Sequence, residues 1–272
     1  MSHKLFFIPA IIILLSSCQK VIDVDLNSAS PAYVIEANLY EGTHDFHVKV
    51  TKTTSYFSSD APPTVNDATI TLIDQNNVSH AVPNTGNGIY TLPAFTAVNN
   101  VSYQLNVSAG GKTFSATAKM PLPTSIDSLT YEEFGGFGGG PGGGGGGEKN
   151  FLVVTHFQDT VGIPNYYRVL VTKNDTLLNK PFDYYLVDDK IRDGQYFDAP
   201  LFTAFSKMGD TLDVELLSMD AGVFDYFNTL SEILTSDANT SAAPANPNTN
   251  FNNGALGYFG AFTRSKKSIR IK

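Results

Sequence analysis

The chain predicts an all-β protein, mainly β: an N-terminal immunoglobulin-like or transthyretin-like sandwich, followed by a second β-rich domain carrying one amphipathic helix. Three observations lead there. Apolar residues between 27 and 122 recur at every second position, the period of a half-buried strand and not the 3.6 of a helix. The alternating runs are short and separated by Gly, Asn and Asp clusters that suit tight turns. One segment alone, Asp220 to Ser236, carries its apolar residues at helical steps.

The N-terminal segment comes first. Lys4 followed by the apolar run Leu5 to Leu15 reads as a signal peptide over residues 1–17. That run is far shorter than the roughly 20 apolar residues of a membrane-spanning helix. It ends at Leu15-Ser16-Ser17-Cys18, which resembles the bacterial lipoprotein box, so cleavage before Cys18 and acylation of Cys18 are expected. Cys18 is the only cysteine, which leaves no intramolecular disulfide to form. A multiply acylated cysteine anchors stably, because each buried CH₂ adds about 0.8 kcal/mol of membrane affinity. Residues 18–26 then serve as a tether. Loss of residues 1–17 removes Lys4 alone among the charged residues, moving the formal charge from −8 to −9. Such an acidic chain is a poor partner for nucleic acid; the basic run Arg264, Lys266, Lys267, Arg270 and Lys272 reads as a solvated strand edge.

Within the first domain, 27–122, Phe46, Val48 and Val50 alternate with His47, Lys49 and Thr51. Ala68, Ile70 and Leu72 alternate before the turn-forming Asp74-Gln-Asn-Asn77. Tyr103, Leu105 and Val107 lead through Gly110-Gly111 to Phe114, Ala116, Ala118 and Met120, which reads as a hairpin.

The second domain, 123–272, begins at the breaker Met120-Pro-Leu-Pro-Thr124. Residues 135–147 contain eleven glycines in thirteen positions, and ordering them would cost backbone entropy that little burial could offset. A disordered loop is expected there. Nucleotide-binding glycine loops join a strand to a helix, whereas this tract enters the strand-like run Phe151 to Phe157. Further strands are expected at Tyr166 to Lys173, Phe182 to Val187, Tyr196 to Phe205, Thr211 to Ser218 and Ser268 to Lys272. Val223, Phe227, Leu230 and Leu234 make the helix amphipathic, with either Ser218 or Asp220 placed to cap it. Asp237 to Asn253, rich in Asn, Ala, Ser and Pro, reads as a long exposed loop and the best candidate contact surface.

Chemistry finds little support. The strained Gly-x-Ser-x-Gly elbow of serine hydrolases does not occur. His44 and His47 are the one close histidine pair, and at that spacing a strand points them to opposite faces unless a turn at Gly42-Thr43 intervenes. Asp188, Asp189, Asp193 and Asp198 raise calcium binding or glycosidase chemistry, but Lys190, Ile191 and Arg192 interrupt the acids. The preferred reading of that segment is a β-hairpin with Asp193-Gly194 at a type I′ turn. The chain's 32 Tyr and Phe residues without any Trp weaken a sugar-platform reading. No catalytic residue, metal ligand or cofactor is expected.

Cys18-Gln-Lys-Val-Ile-Asp-Val-Asp-Leu26 and Tyr33-Val-Ile-Glu36 resemble the opening of a Bacteroidota lipoprotein family catalogued as domain of unknown function 4249. Asn165-Tyr-Tyr-Arg168, Asp193-Gly194, the aromatic helix around Tyr226, and Gly254-Ala-Leu-Gly-Tyr-Phe-Gly-Ala261 resemble its later signatures, in order. The resemblance implies a non-enzymatic outer-membrane lipoprotein, a binding or accessory component associated with TonB-dependent receptors. A structural or adhesive surface module is the alternative, with a surface-polymer hydrolase behind it. Exposure on the cell surface is favoured over the periplasm, although Asp23 and Asp25 come later after the cysteine than in typical surface-exported lipoproteins.

Overall fold

The computed structural model describes residues 31–54, 60–135, 149–236 and 245–272. The signal segment, Cys18, the tether and the glycine tract beyond Gly135 lie outside the described residues. The first half contains β1 (Tyr33–Tyr40), β2 (Gly42–Lys52), β3 (Thr69–Ile73), β4 (Ser79–Ala81), β5 (Asn84–Gly86), β6 (Ile89–Ala97), β7 (Ser102–Ala109) and β8 (Lys112–Lys119). Then come β9 (Ile126–Phe134), β10 (Asn150–Gln158), β11 (Tyr166–Lys173), β12 (Thr176–Leu177), β13 (Tyr185–Asp188), β14 (Tyr196–Pro200) and β15 (Thr211–Met219). Helix α1 (Ala221–Ser236) and strand β16 (Leu256–Arg270) complete the chain, with a single 3₁₀ turn at Pro181–Asp183. The fold is mostly β with one α-helix among the described residues, and that helix is too short and polar to cross a membrane.

Two sandwiches share one long sheet. Its strand order is β12-β11-β15-β16-β1-β2-β6-β5, with β13 also paired to β11. The sheet β4-β3-β7-β8 encloses the first core, where Phe46, Val48, Val50, Tyr90, Tyr103, Leu105 and Phe114 are buried. The sheet β14-β10-β9 encloses the second, built on Phe157, Tyr167, Val169, Leu212, Val214 and Leu216. The strand periodicity explains both: alternate residues of each strand face one core, and a one-residue slip would turn every one of them outward.

β16 is the joint. Its first half runs parallel to β1, Val34 opposite Leu256 through Tyr40 opposite Phe262. Its second half runs antiparallel to β15, Ser218 opposite Thr263 through Thr211 opposite Arg270. Phe251, Ala255, Phe259 and Ala261 thereby complete the first core although they stand near the chain's end. Residues 31–272 form one compact unit, and the first core draws on residues from both sides of residue 122. The close parallel approach depends on Gly257, whose φ is +90° and where a Cβ would stand 2.1 Å from the Ile35 carbonyl oxygen. The basic run from Arg264 to Arg270 pairs along one side only, with β15, and its charged side chains are exposed. Lys266 pairs with Glu215 at 2.5 Å, Ser268 with Asp213, and Arg264 lies over the Tyr40 ring.

Helix α1 forms where its spacing predicts, and of the two expected caps Asp220 is the one used. Its Oδ1 accepts the Val223 N–H at 3.0 Å, satisfying one of the helix's free donors. Its Oδ2 accepts the Lys119 N–H at 2.7 Å, so the same carboxylate fastens the helix start to β8. The apolar stripe packs on the long sheet's outer face, with Val223 and Phe227 buried against Tyr258 and Phe262.

Three expectations need correction. Strands 182–187 and 196–205 do not form a hairpin: β13 pairs with β11, and β14 pairs with β10 and stops at Pro200. The described part of the expected exposed loop, 245–253, is mostly open to solvent, but it is fastened down. Phe251 is buried, Asn250 exchanges bonds with Phe259, and Asn252 and Asn253 cap the free edge of β8 at Ser115 and Thr113. These side chains satisfy edge groups that would otherwise invite pairing with another chain. Finally, the expected last strand, Ser268 to Lys272, is the end of a long strand that begins at Leu256 and stops at Arg270.

Candidate functional site

Two loops meet at one edge of the second sandwich. One, residues 159–165, joins β10 to β11; the other, 189–195, joins β13 to β14. Asn165 and Asp189 tie them, the Asn165 N–H donating to Asp189 Oδ2 at 2.9 Å and the Asp189 N–H donating to the Asn165 carbonyl at 3.3 Å. Asp193 Oδ1 accepts the Gly162 N–H at 2.8 Å, and Asp159 Oδ2 accepts the Gly194 N–H at 2.8 Å. The Asn165 amide also donates to the carbonyls of Thr160 and Ile163. The loops thus have few free backbone groups and a fixed shape.

The geometry gathers Asp159, Asp189 and Asp193, each offering a carboxylate oxygen within 4.8 Å of the others. Asp159 and Asp189 are each 3% exposed, while Asp193 is open to solvent. Of the four acids singled out in the sequence, Asp189 and Asp193 belong here and the other two do not. Asp188 pairs with Lys190 at 3.2 Å, and Asp198 pairs with His156 at 2.6 Å from the facing strand. Adjacent residues in extended backbone point to opposite sides, which separates Asp188 from Asp189. Asp159 lay hidden from sequence reasoning. The signal was an acid at the end of a strand, just ahead of a Gly-x-Pro loop. His44 and His47 join no group of potential metal ligands among the described residues; His47 bonds Thr91 instead, at 2.9 Å.

An all-oxygen donor set suits a hard cation over zinc. The same oxygens, however, already accept the bonds that fasten the loops. Asp159 also accepts the hydroxyl of Tyr167, whose phenol is pushed up, first by burial and then by that carboxylate. Above the carboxylates lies a cleft of about 350 Å³ walled by Ile163, Pro164 and Tyr166, with Asp189, Lys190 and Asp193 on its other sides.

Tyr166 connects this cleft to the helix, its ring centroid lying 5.1 Å from that of Phe224. On the same face of β11, Arg168 lies between two rings, 4.6 Å from Tyr184 and 4.2 Å from Phe227. Burial lowers its pKa, and its Nε has no hydrogen-bond partner among the described residues. The Tyr226 ring lies tilted against that of Tyr258, centroids 4.6 Å apart, and burial pushes its phenol up to about 12. The motifs noted at 165–168, around Tyr226 and at 254–261 therefore meet in one aromatic cluster.

No curated protein matches the chain. A solved structure of a point mutant of Salmonella alpha-2-macroglobulin aligns at 10% identity over 89% of this chain, with a TM-score of 0.24. The chain spans only 15% of that protein's length, and so distant a likeness carries no argument. The profile of the family described as Domain of unknown function (DUF4249) matches residues 19–268, nearly the whole chain, and the protein belongs to that family.

Proposed function

We propose that the protein is a non-enzymatic, lipid-anchored binding component of the outer membrane, an accessory to TonB-dependent transport that works on the cell surface. One observation carries the reading: Leu15-Ser16-Ser17-Cys18 closes a short apolar segment and places the chain's only cysteine where a lipoprotein is acylated. The domains beyond the anchor are suited to binding. Rigid β-sandwiches commonly display their contacts on end loops, and the 159–165 and 189–195 loops are held in place by a dense hydrogen-bond network. Asp159 gives both its oxygens, and Asp189 its Oδ2, to that network, a use that supports display over catalysis.

Affinity purification of the anchored chain from outer membranes tests the reading. A TonB-dependent barrel receptor should co-purify with it. Recovery of soluble proteins alone would contradict the transport role, and loss of cell attachment without an uptake defect in a deletion strain would point to an adhesive module.

A further inference from the structure

The two tied loops end in exposed aliphatic side chains. Val161 is 74% exposed, Ile191 86% and Ile163 41%. Single exposed aliphatics are ordinary; three on adjoining loop tips make a patch, and such patches mark interaction sites. These tips are not floppy. Gly162 follows Val161, Gly194 packs against the Val161 side chain, and the N–H groups of both glycines are held by aspartates of this network. A loop already ordered loses little further freedom on binding, so its apolar side chains act at full strength.

We propose that this rim and the cleft beside it form a docking surface for a protein partner that presents a basic side chain, arginine or lysine, among apolar neighbours. This rests on the binding role proposed above and names the chemistry of the partner. Charge complementarity selects the occupant. Asp159, Asp189 and Asp193 against Lys190 and Arg192 leave the loops at a formal −1, and Asp188 at the end of β13 beside them adds one more negative charge. Lys190 is already paired with Asp188, and Arg192 lies over the Phe197 ring at 5.3 Å. A guanidinium entering the cleft meets the Tyr166 ring for stacking and the Asp189 and Asp193 carboxylates for charged hydrogen bonds, while Val161, Ile163 and Ile191 exclude water around it. An anionic lipid surface fits less well, since it would face those same carboxylates.

The test uses the isotope-labelled chain from residue 19 onward and the probe acetyl-leucyl-arginyl-leucinamide, followed by amide chemical shifts. The peptide should shift the Gly162, Lys190 and Gly194 amides saturably. Its citrulline counterpart, equal in shape but uncharged, should bind at least about five-fold more weakly, as should the arginine peptide to Asp193→Asn. Asp193→Asn keeps the oxygen that accepts from Gly162, and Ile191→Ser alters a solvent-facing side chain, so both variants retain the fold; Ile191→Ser should lose most of the binding. Equal binding of the citrulline peptide, or no saturable shift at these amides, overturns the proposal. So does displacement of the peptide by calcium chloride at millimolar concentration, which would make the site an inorganic cation site, or Ile191-dependent flotation with phosphatidylglycerol vesicles, which would make it a lipid contact. Receptor capture separates the two levels. If wild type captures a receptor and both variants capture it equally, the docking surface is wrong and the transport role stands; if wild type captures none, the transport role itself fails.

Discussion

Asn165 and Asp189 exchange hydrogen bonds across two loops, main chain to side chain at 2.9 Å in one direction and main chain to main chain at 3.3 Å in the other. Asp189 is nearly fully buried, so replacing it strands the buried Asn165 N–H. Asp189→Ala should cost about 1–3 kcal/mol of stability, read from urea unfolding. It should also speed amide hydrogen exchange at residues 160–163. Unchanged exchange there would mean that the loops hold their shape without this tie.

Gly257 stands opposite Ile35 where the first and last strands pair. A Cβ at that position would enter the Ile35 carbonyl, and a φ of +90° is itself poor for any other residue. Gly257→Ala should destabilise by about 2–4 kcal/mol, whereas alanine at the open Gly209 turn, also of positive φ at +92° and with nothing nearby, should cost no more than about 1–2 kcal/mol. Equal costs at the two positions would remove the argument from close packing.

Asp210 supplies the clearest pH dependence. Burial pushes its pKa up, but the Lys207 N–H, the Asn174 amide and the Lys173 ammonium outweigh it and hold the carboxyl at about 2. Unfolded, the same group titrates near ~3.9. A folded pKa below the unfolded one adds stability that is complete above the unfolded value and fades as pH falls from about 4 to about 2. Asp210→Asn should therefore lower Tm at pH 7, and the difference from wild type should shrink steadily as pH falls from about 4 through about 2. A constant difference across that range would contradict the assignment.

Arg168 fastens the helix to the sheet by lying between Tyr184 of the 3₁₀ segment's end and Phe227 of α1. Lysine keeps the charge but loses the flat face that stacks. Arg168→Lys should cost about 1 kcal/mol and Arg168→Ala more, because the aliphatic stem also packs. Equilibrium unfolding of both variants measures this, and lysine matching arginine would rule out stacking as the cause.

Local chemistry was the legible part of this fold. Tyr103 to Met120 alternates cleanly around Gly110-Gly111 and folds as the β7–β8 hairpin, both glycines taking positive φ. Val223 and Phe227 at a step of four, with Asp220 ahead of them, made the helix and its cap readable. The long strand β16 was not readable, because Gly257 and Gly260 look like turn residues until the Ile35 backbone and the Phe262 ring that crowd them are seen. The Asp188 to Asp198 segment misled for a related reason. Two neighbouring strands with a turn between them suggest a hairpin, yet each finds its partner elsewhere, on β11 and β10. Asp159 stands 30 residues before Asp189, and only the tertiary fold brings the two carboxylates together.

The central claim is the anchor, and metabolic labelling with an alkyne fatty acid tests it most directly. Wild type should carry the label and fractionate with the outer membrane. Cys18→Ser should carry none, while the protein folds unchanged, since no other thiol exists to be affected. Equal labelling of the two proteins, or full outer-membrane retention of a processed Cys18→Ser chain, would place the anchor elsewhere and contradict the account.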